Sequence, residues 1–147
     1  MTALAAPYDA HEKEGELVAY PIAANTTIWK GALVGLIGGF AVPASDAASE
    51  AFAGVAHESK LNQASTLLPG GAGPAGAAGA LLIRVEKDGA FNYSKAGAVA
   101  ADRGKQVFIV DDNTVSVAAT TNNLAAGYVV EVTDGSHVRV RIDRSVQ

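Results

Sequence analysis

The C-terminal end of the chain leaves little choice of fold. His137-Val138-Arg139-Val140-Arg141-Ile142 alternates without a break, so Val138, Val140 and Ile142 share one face and His137, Arg139 and Arg141 the other. A period of two is a half-buried strand and cannot be an amphipathic helix. Asp134-Gly135 turns this run back onto Gly127-Tyr128-Val129-Val130-Glu131-Val132. Upstream, Val107 to Val110 turns through Asp111-Asp112-Asn113 into Thr114 to Val117. Short strands with turns at this spacing predict a small β-barrel or sandwich, all-β with minor α.

The same reading extends toward the N-terminus. Glu16 to Ile22 reads as a strand that Pro21 confines to an edge or a strand end. Asn25-Thr26-Thr27 is a turn, Leu33 to Ile37 a strand, and Gly38-Gly39 a second turn. Phe52 to Ala56 is a strand in which Gly54 marks a bulge or a close backbone approach. Leu81 to Lys87 alternates, with Leu81, Ile83 and Val85 on one face. Asp88-Gly89 predicts a hairpin leading into Ala90 to Tyr93. The best helical candidates are Ala44–Ala51 and Lys95–Asp102. Residues 1–15 form an N-terminal arm, Ala-rich and then acidic, and residues 16–147 a single β-barrel domain interrupted by a loop at 58–80.

Within that loop, residues 69–80 are built only from Gly, Ala and Pro. Such a segment has almost no side chain to bury and no group to do chemistry with. It can lie closely along another surface through its backbone, or it can be a plain surface excursion. Gly71, Gly73 and Gly76 match the spacing of a dinucleotide fingerprint, but Pro74 interrupts it and no strand–helix unit surrounds it. No cofactor is expected.

Composition narrows the function classes. The chain has 147 residues, no cysteine and a net charge of −4, so disulfides, thiol nucleophiles and zinc–thiolate sites are excluded. Eleven Lys and Arg residues make no stripe for nucleic acid, and Arg139, Arg141 and Arg144 read as a solvated strand face. Met1 to Pro7 has no basic n-region, and the apolar stretch Ala32–Ala44 is too short and too broken to span a bilayer. Neither a targeting segment nor a membrane partner is expected.

The residues that could carry chemistry are scattered. His11, His57 and His137 have no metal-ligand spacing, and His11-Glu12-Lys13-Glu14 is not a zincin motif. Asp111-Asp112-Asn113 lacks the Gly and distal Glu of a calcium loop and fits a hairpin turn. There is no nucleophile elbow. Trimeric β-rich dUTPases have about this length, but their phosphate clamp needs a Gly-rich C-terminal motif, and this chain ends Val140 to Gln147 without glycine. Trp29 reads as a core or subunit-contact anchor rather than a stacking platform. The chain is not expected to be an enzyme, and no metal is expected.

The strand series resembles the head decoration, or capsid cement, proteins of tailed bacteriophages. The stretches that carry the resemblance are Tyr20-Pro21-Ile22 with Ala24, Ile28 and Lys30–Val34; Ala51–Ala56; Arg84–Phe91; Val107–Asp112; and Ala126–Val132 followed by Val138–Ile142. They span residues 16 to 143. The resemblance implies a trimerising β-barrel on the outer surface of an icosahedral virion head, assembled in the host cytoplasm. Its partners would be the major capsid protein and two further copies of itself, and it would have no active site. Candidate capsid or trimer contacts are Tyr8, His11, Tyr20, Trp29, Gly71, Gly73 and Gly76. The alternative is a non-catalytic carbohydrate-binding or trimeric β-module, with a small hydrolase further behind. A binding module should show a cleft with exposed aromatics.

Overall fold

Each alternating run has found partners, and the pairing falls into two units of one design. The computed structural model describes residues 15–63, 67–68, 71–72 and 76–142. The first unit holds β1 (Leu17–Pro21), β2 (Thr26–Ile28), β3 (Leu33–Ile37), β4 (Phe40–Pro43), β5 (Ala51–Ala56), β6 (Lys60–Asn62), β7 (Leu67–Leu68), β8 (Gly71–Ala72) and β9 (Leu82–Glu86). The second holds β10 (Gly89–Ser94), β11 (Gln106–Asp111), β12 (Thr114–Ser116), β13 (Ala125–Asp134) and β14 (His137–Ile142). Five strands of the first unit form a sheet in the order β1-β9-β5-β3-β4, and β2–β6 and β7–β8 are separate two-stranded pairs. The second unit is a closed barrel, β10-β14-β13-β11-β12.

These are the same order, and the registers agree residue by residue. Leu33–Val55, Val34–Gly54 and Gly35–Phe52 in the first unit become Gln106–Tyr128, Val107–Gly127 and Phe108–Ala125 in the second, each member 73 positions on. Val18–Val85 and Tyr20–Ile83 become Phe91–Val140 and Tyr93–Val138. Each unit closes at a seam through one parallel contact, Ile22–Ala41 in the first and Ser94–Thr114 in the second. The last strands, β9 and β14, are offset by only 55 positions. The first unit therefore carries 18 more residues between β5 and β9 than the second does between β13 and β14. The Gly/Pro/Ala segment lies in that insertion.

Both units bend at the same glycine. In β5 an extra residue, Ala53, is accommodated between the pairs Val34–Gly54 and Gly35–Phe52. The bulge lets Phe52 and Val55, three residues apart, share one buried cluster while Ala53 and Ala56 share the other. Gly54 has φ +136°, and a Cβ there would stand 2.2 Å from the Glu86 carbonyl oxygen. Gly127 does the same in β13, with φ +154° and the Arg141 carbonyl at 2.0 Å from a Cβ.

The core follows from the alternation. Ile22, Ile28, Val34, Ala53, Ile83 and Val85 fill the inside of the first unit. Val107, Ile109, Ala126, Val129, Val138, Val140 and Ile142 fill the second. Leu33, Phe52 and Val55 point out of the first unit and join the second unit's cluster. They lie over its seam, where Leu33 N–H donates to the Asp112 carbonyl at 2.7 Å and Tyr93 Oη donates to the Gly31 carbonyl at 3.1 Å. The first unit's seam is covered differently. Gly79 N–H donates to the Ile22 carbonyl and Ile22 N–H to the Leu81 carbonyl, so the returning limb of the insertion runs along it.

Several sequence expectations need correction. Asn25-Thr26-Thr27 is not all turn, since Thr26 and Thr27 begin β2, and the expected loop at 58–80 holds β6, β7 and β8. Ala44–Ala51 is not helical: Pro43 ends β4, Ser49 has φ +64°, and Glu50 folds back to accept from Ser45 N–H and Oγ. Lys95–Asp102 keeps only one 3-10 turn, Ala100–Asp102, because Gly97 at φ +60° breaks the run. Asp88-Gly89 makes no hairpin. Both edges of β9 are taken by β1 and β5, so the dipeptide instead carries the chain across to the second unit. The expected hairpins at Asp111–Asn113 and Asp134–Gly135 are present, and the all-β barrel architecture is as the alternation predicts.

Candidate interaction surfaces

The junction of the two units carries the most chemistry. On one side of it, Trp29, Lys30, Gly31 and Ala32 of the first unit face Asn92, Tyr93, Asp112 and Asn113 of the second across a groove of about 290 Å³. Trp29 is 59% exposed, so it is no core residue. Burial, reinforced by the charge of Asp111, raises the Asp112 carboxyl above its ordinary pKa. Asn92 Oδ1 accepts from Arg139 Nε at 3.2 Å. The Tyr93 phenol is pushed well above the usual range, chiefly by burial and then by the charge of Glu86.

A second, wider groove of about 540 Å³ is lined by Glu16, Leu17, His57, Glu86, Asp88, Gly89, Ala90 and Arg141. His57 Nδ1 stands 2.6 Å from Glu86 Oε1, an ion pair whenever the ring is protonated. Among the described residues, no Ser, Thr or Cys lines this groove, and none there gives the pair a nucleophile to activate. Among the described residues, no three His, Asp or Glu side chains stand close enough together to hold a metal ion.

The third surface is a face. The outward row of the first unit, Leu33, Phe52 and Val55, is buried against the second. The equivalent row of the second unit is not packed into a core among the described residues: Gln106 and Ala125 are half-buried and Tyr128 is 42% exposed. Val110 and Val130 are exposed on the same strands, Val130 by 47%.

Where the first unit is plugged by Ile22, the position 73 residues on is Lys95. It forms a buried ion pair with Asp102 at 2.8 Å, supported by Lys105 at 3.1 Å. The Lys95 ammonium and the Val99 backbone N–H hold the Asp102 carboxyl well below the usual carboxylate range.

The contact candidates separate. Trp29 stands open at a groove. Tyr20 is half-buried inside the first unit, its Oη 3.4 Å from Lys87 Nζ. Gly76 is buried with φ +63°, and its carbonyl accepts from Asn25 N–H at 2.9 Å. Gly71 opens β8. Tyr8, His11 and Gly73 lie outside the described residues. Sequence reasoning missed Asn92, Asp112 and Asn113 as neighbours of Trp29, and Tyr128 with Val130 as an open patch. The repeated Ala-Gly at 53–54 and 126–127 is the one signal that could have revealed the two units and hence the unmatched face. No family model, no curated protein and no solved structure matches the chain.

Proposed function

We propose that this chain is a capsid decoration protein, a homotrimer that sits on the outer surface of an icosahedral phage head and clasps neighbouring major capsid subunits. The observation that carries the reading is the unmatched face. A surface that the fold buries in one unit is only half-covered among the described residues of the other, with Tyr128 and Val130 displayed on its strands. An exposed apolar patch on a closed barrel is what a subunit contact requires. The stretches that carry the phage resemblance also support it, because they lie on β1 to β3, β5, β9 to β10, β11 and β13 to β14, the strands of both units. Two units locked by a shared core make a rigid body. Such a body can brace several subunits at once, and avidity then compensates for modest single contacts.

The test is direct. Purified protein is added to expanded phage heads that lack it. Saturable co-sedimentation, with new density on the outer surface, is the expected result. Heads that remain bare at micromolar protein would end the proposal.

A further inference from the structure

We propose that the groove at Trp29 binds a neutral saccharide. The proposal does not depend on the capsid reading. Trp29 leaves 59% of its surface in water beside a recess of about 290 Å³. Leaving so large an apolar side chain exposed forgoes burial energy, and the fold does not require it. The repeat makes this plain, since the position 73 residues on is Asp102, a buried ion-pair residue. Trp29 is thus an addition to the design rather than a part of it.

What surrounds the indole identifies the ligand chemistry. Lys30, Asn92, Asp112 and Asn113 bring an ammonium, two carboxamides and a carboxylate to the same recess. Among the described residues, the Asp112 carboxylate has no side-chain partner. A pyranose ring presents an apolar C–H face and a rim of hydroxyls that both donate and accept. An aromatic plate bordered by amide and carboxylate groups matches both halves of that surface. A nucleotide would also stack, but its phosphates need cations. Here the lining holds one lysine and one carboxylate, and the guanidinium at Asn92, that of Arg139, is already paired with Glu131, on a chain of net charge −4. The walls are already fixed by the Tyr93–Gly31 and Leu33–Asp112 hydrogen bonds, which reduces the ordering cost of binding. Ligand sites favour such junctions between structural units.

The chain's only tryptophan is the reporter. The intact protein is screened on an array of neutral glycans and titrated with maltoheptaose, cellohexaose and chitohexaose while Trp29 emission is followed. A saturable change in emission with at least one saccharide is expected. Calorimetry with that saccharide should show Trp29→Ala weakening binding about thirtyfold, the scale of losing a buried aromatic anchor. Asp112→Ala and Asn113→Ala should each weaken it by about tenfold, the scale of one lost hydrogen bond to a charged or well-placed polar group. All three positions are at least partly exposed, and far-ultraviolet circular dichroism checks that the variants stay folded. A flat array and flat titrations would overturn the proposal. So would saccharide binding that survives Trp29→Ala.

Discussion

Gly54 and Gly127 stand 73 residues apart and hold the same place in two copies of one strand diagram, each paired with a valine, Val34 or Val107. Each brings its backbone against a carbonyl of the next strand, so closely that no side chain fits. The two bulges set which residues face each core.

Replacing either glycine with alanine combines a clash with an unfavourable backbone angle. Gly54→Ala and Gly127→Ala should each lower the unfolding free energy by about 3 kcal/mol. Gly38→Ala, at φ +58° with open space around a Cβ, should cost only about 1 kcal/mol. Urea midpoints of the three variants decide it. Equal losses at Gly38 and Gly54 would mean the carbonyl contact has no energetic weight.

Acid should weaken the fold through Asp102 in particular. Its carboxyl is held below the ordinary range by Lys95, so its stabilisation is complete above the unfolded pKa of about 4 and fades as pH falls through the folded value. Glu58 and Asp134, both lowered to about 2, act in the same direction but are more exposed and therefore weaker. Lys95→Met should lower stability at pH 7 and flatten the decline between pH 4 and 2. If the variant lost stability with acid as steeply as the parent, Lys95 would not be the source.

Asp46 ties the two units together from the outside. Its carboxylate accepts from Thr121 N–H at 2.7 Å, Asn122 N–H at 2.8 Å and Thr120 Oγ1 at 3.1 Å. In Asp46→Ala the amides of Thr121 and Asn122 should exchange with solvent far faster while β13 and β14 keep their protection. Hydrogen exchange by NMR reads this directly, and unchanged rates at those two amides would refute it.

The open face should matter for assembly and not for folding. Tyr128→Lys with Val130→Lys changes two exposed positions, so stability should move by no more than about 1 kcal/mol. Binding to heads should fall, and the trimer with it if this face is the trimer contact. Sedimentation velocity and head binding, measured on the same sample, separate the two roles. Wild-type behaviour in both would remove the face from consideration.

Much of the architecture could be read in advance because alternation reports burial directly. Val138, Val140 and Ile142 point inward, and the glycine of β5 marks a bulge, for reasons local to those residues. Asp88-Gly89 misled for a non-local reason: a turn dipeptide says that the chain bends, and the neighbours of β9 decide what it bends toward. Ala44–Ala51 misled because helix propensity is weak beside the hydrogen bonds of Asp46 and Glu50. The duplication stayed hidden because its copies share a register more than a sequence. Leu33 is buried in a core where Gln106 is only half-buried, and Ile22 plugs the unit where Lys95 forms an ion pair. The Trp29 groove was out of reach altogether, since its two walls are sixty or more residues apart in the chain.

The insertion along the first seam has a consequence for growth. A module whose outer face fits the seam of the next could add copies of itself without limit, as a fibre does. Here one seam is occupied by the sister module and the other by the chain's own segment from Gly76 to Leu81. In copies of this chain, then, neither seam is left for the free face of the second module, and whatever that face meets on another copy is a contact of another kind.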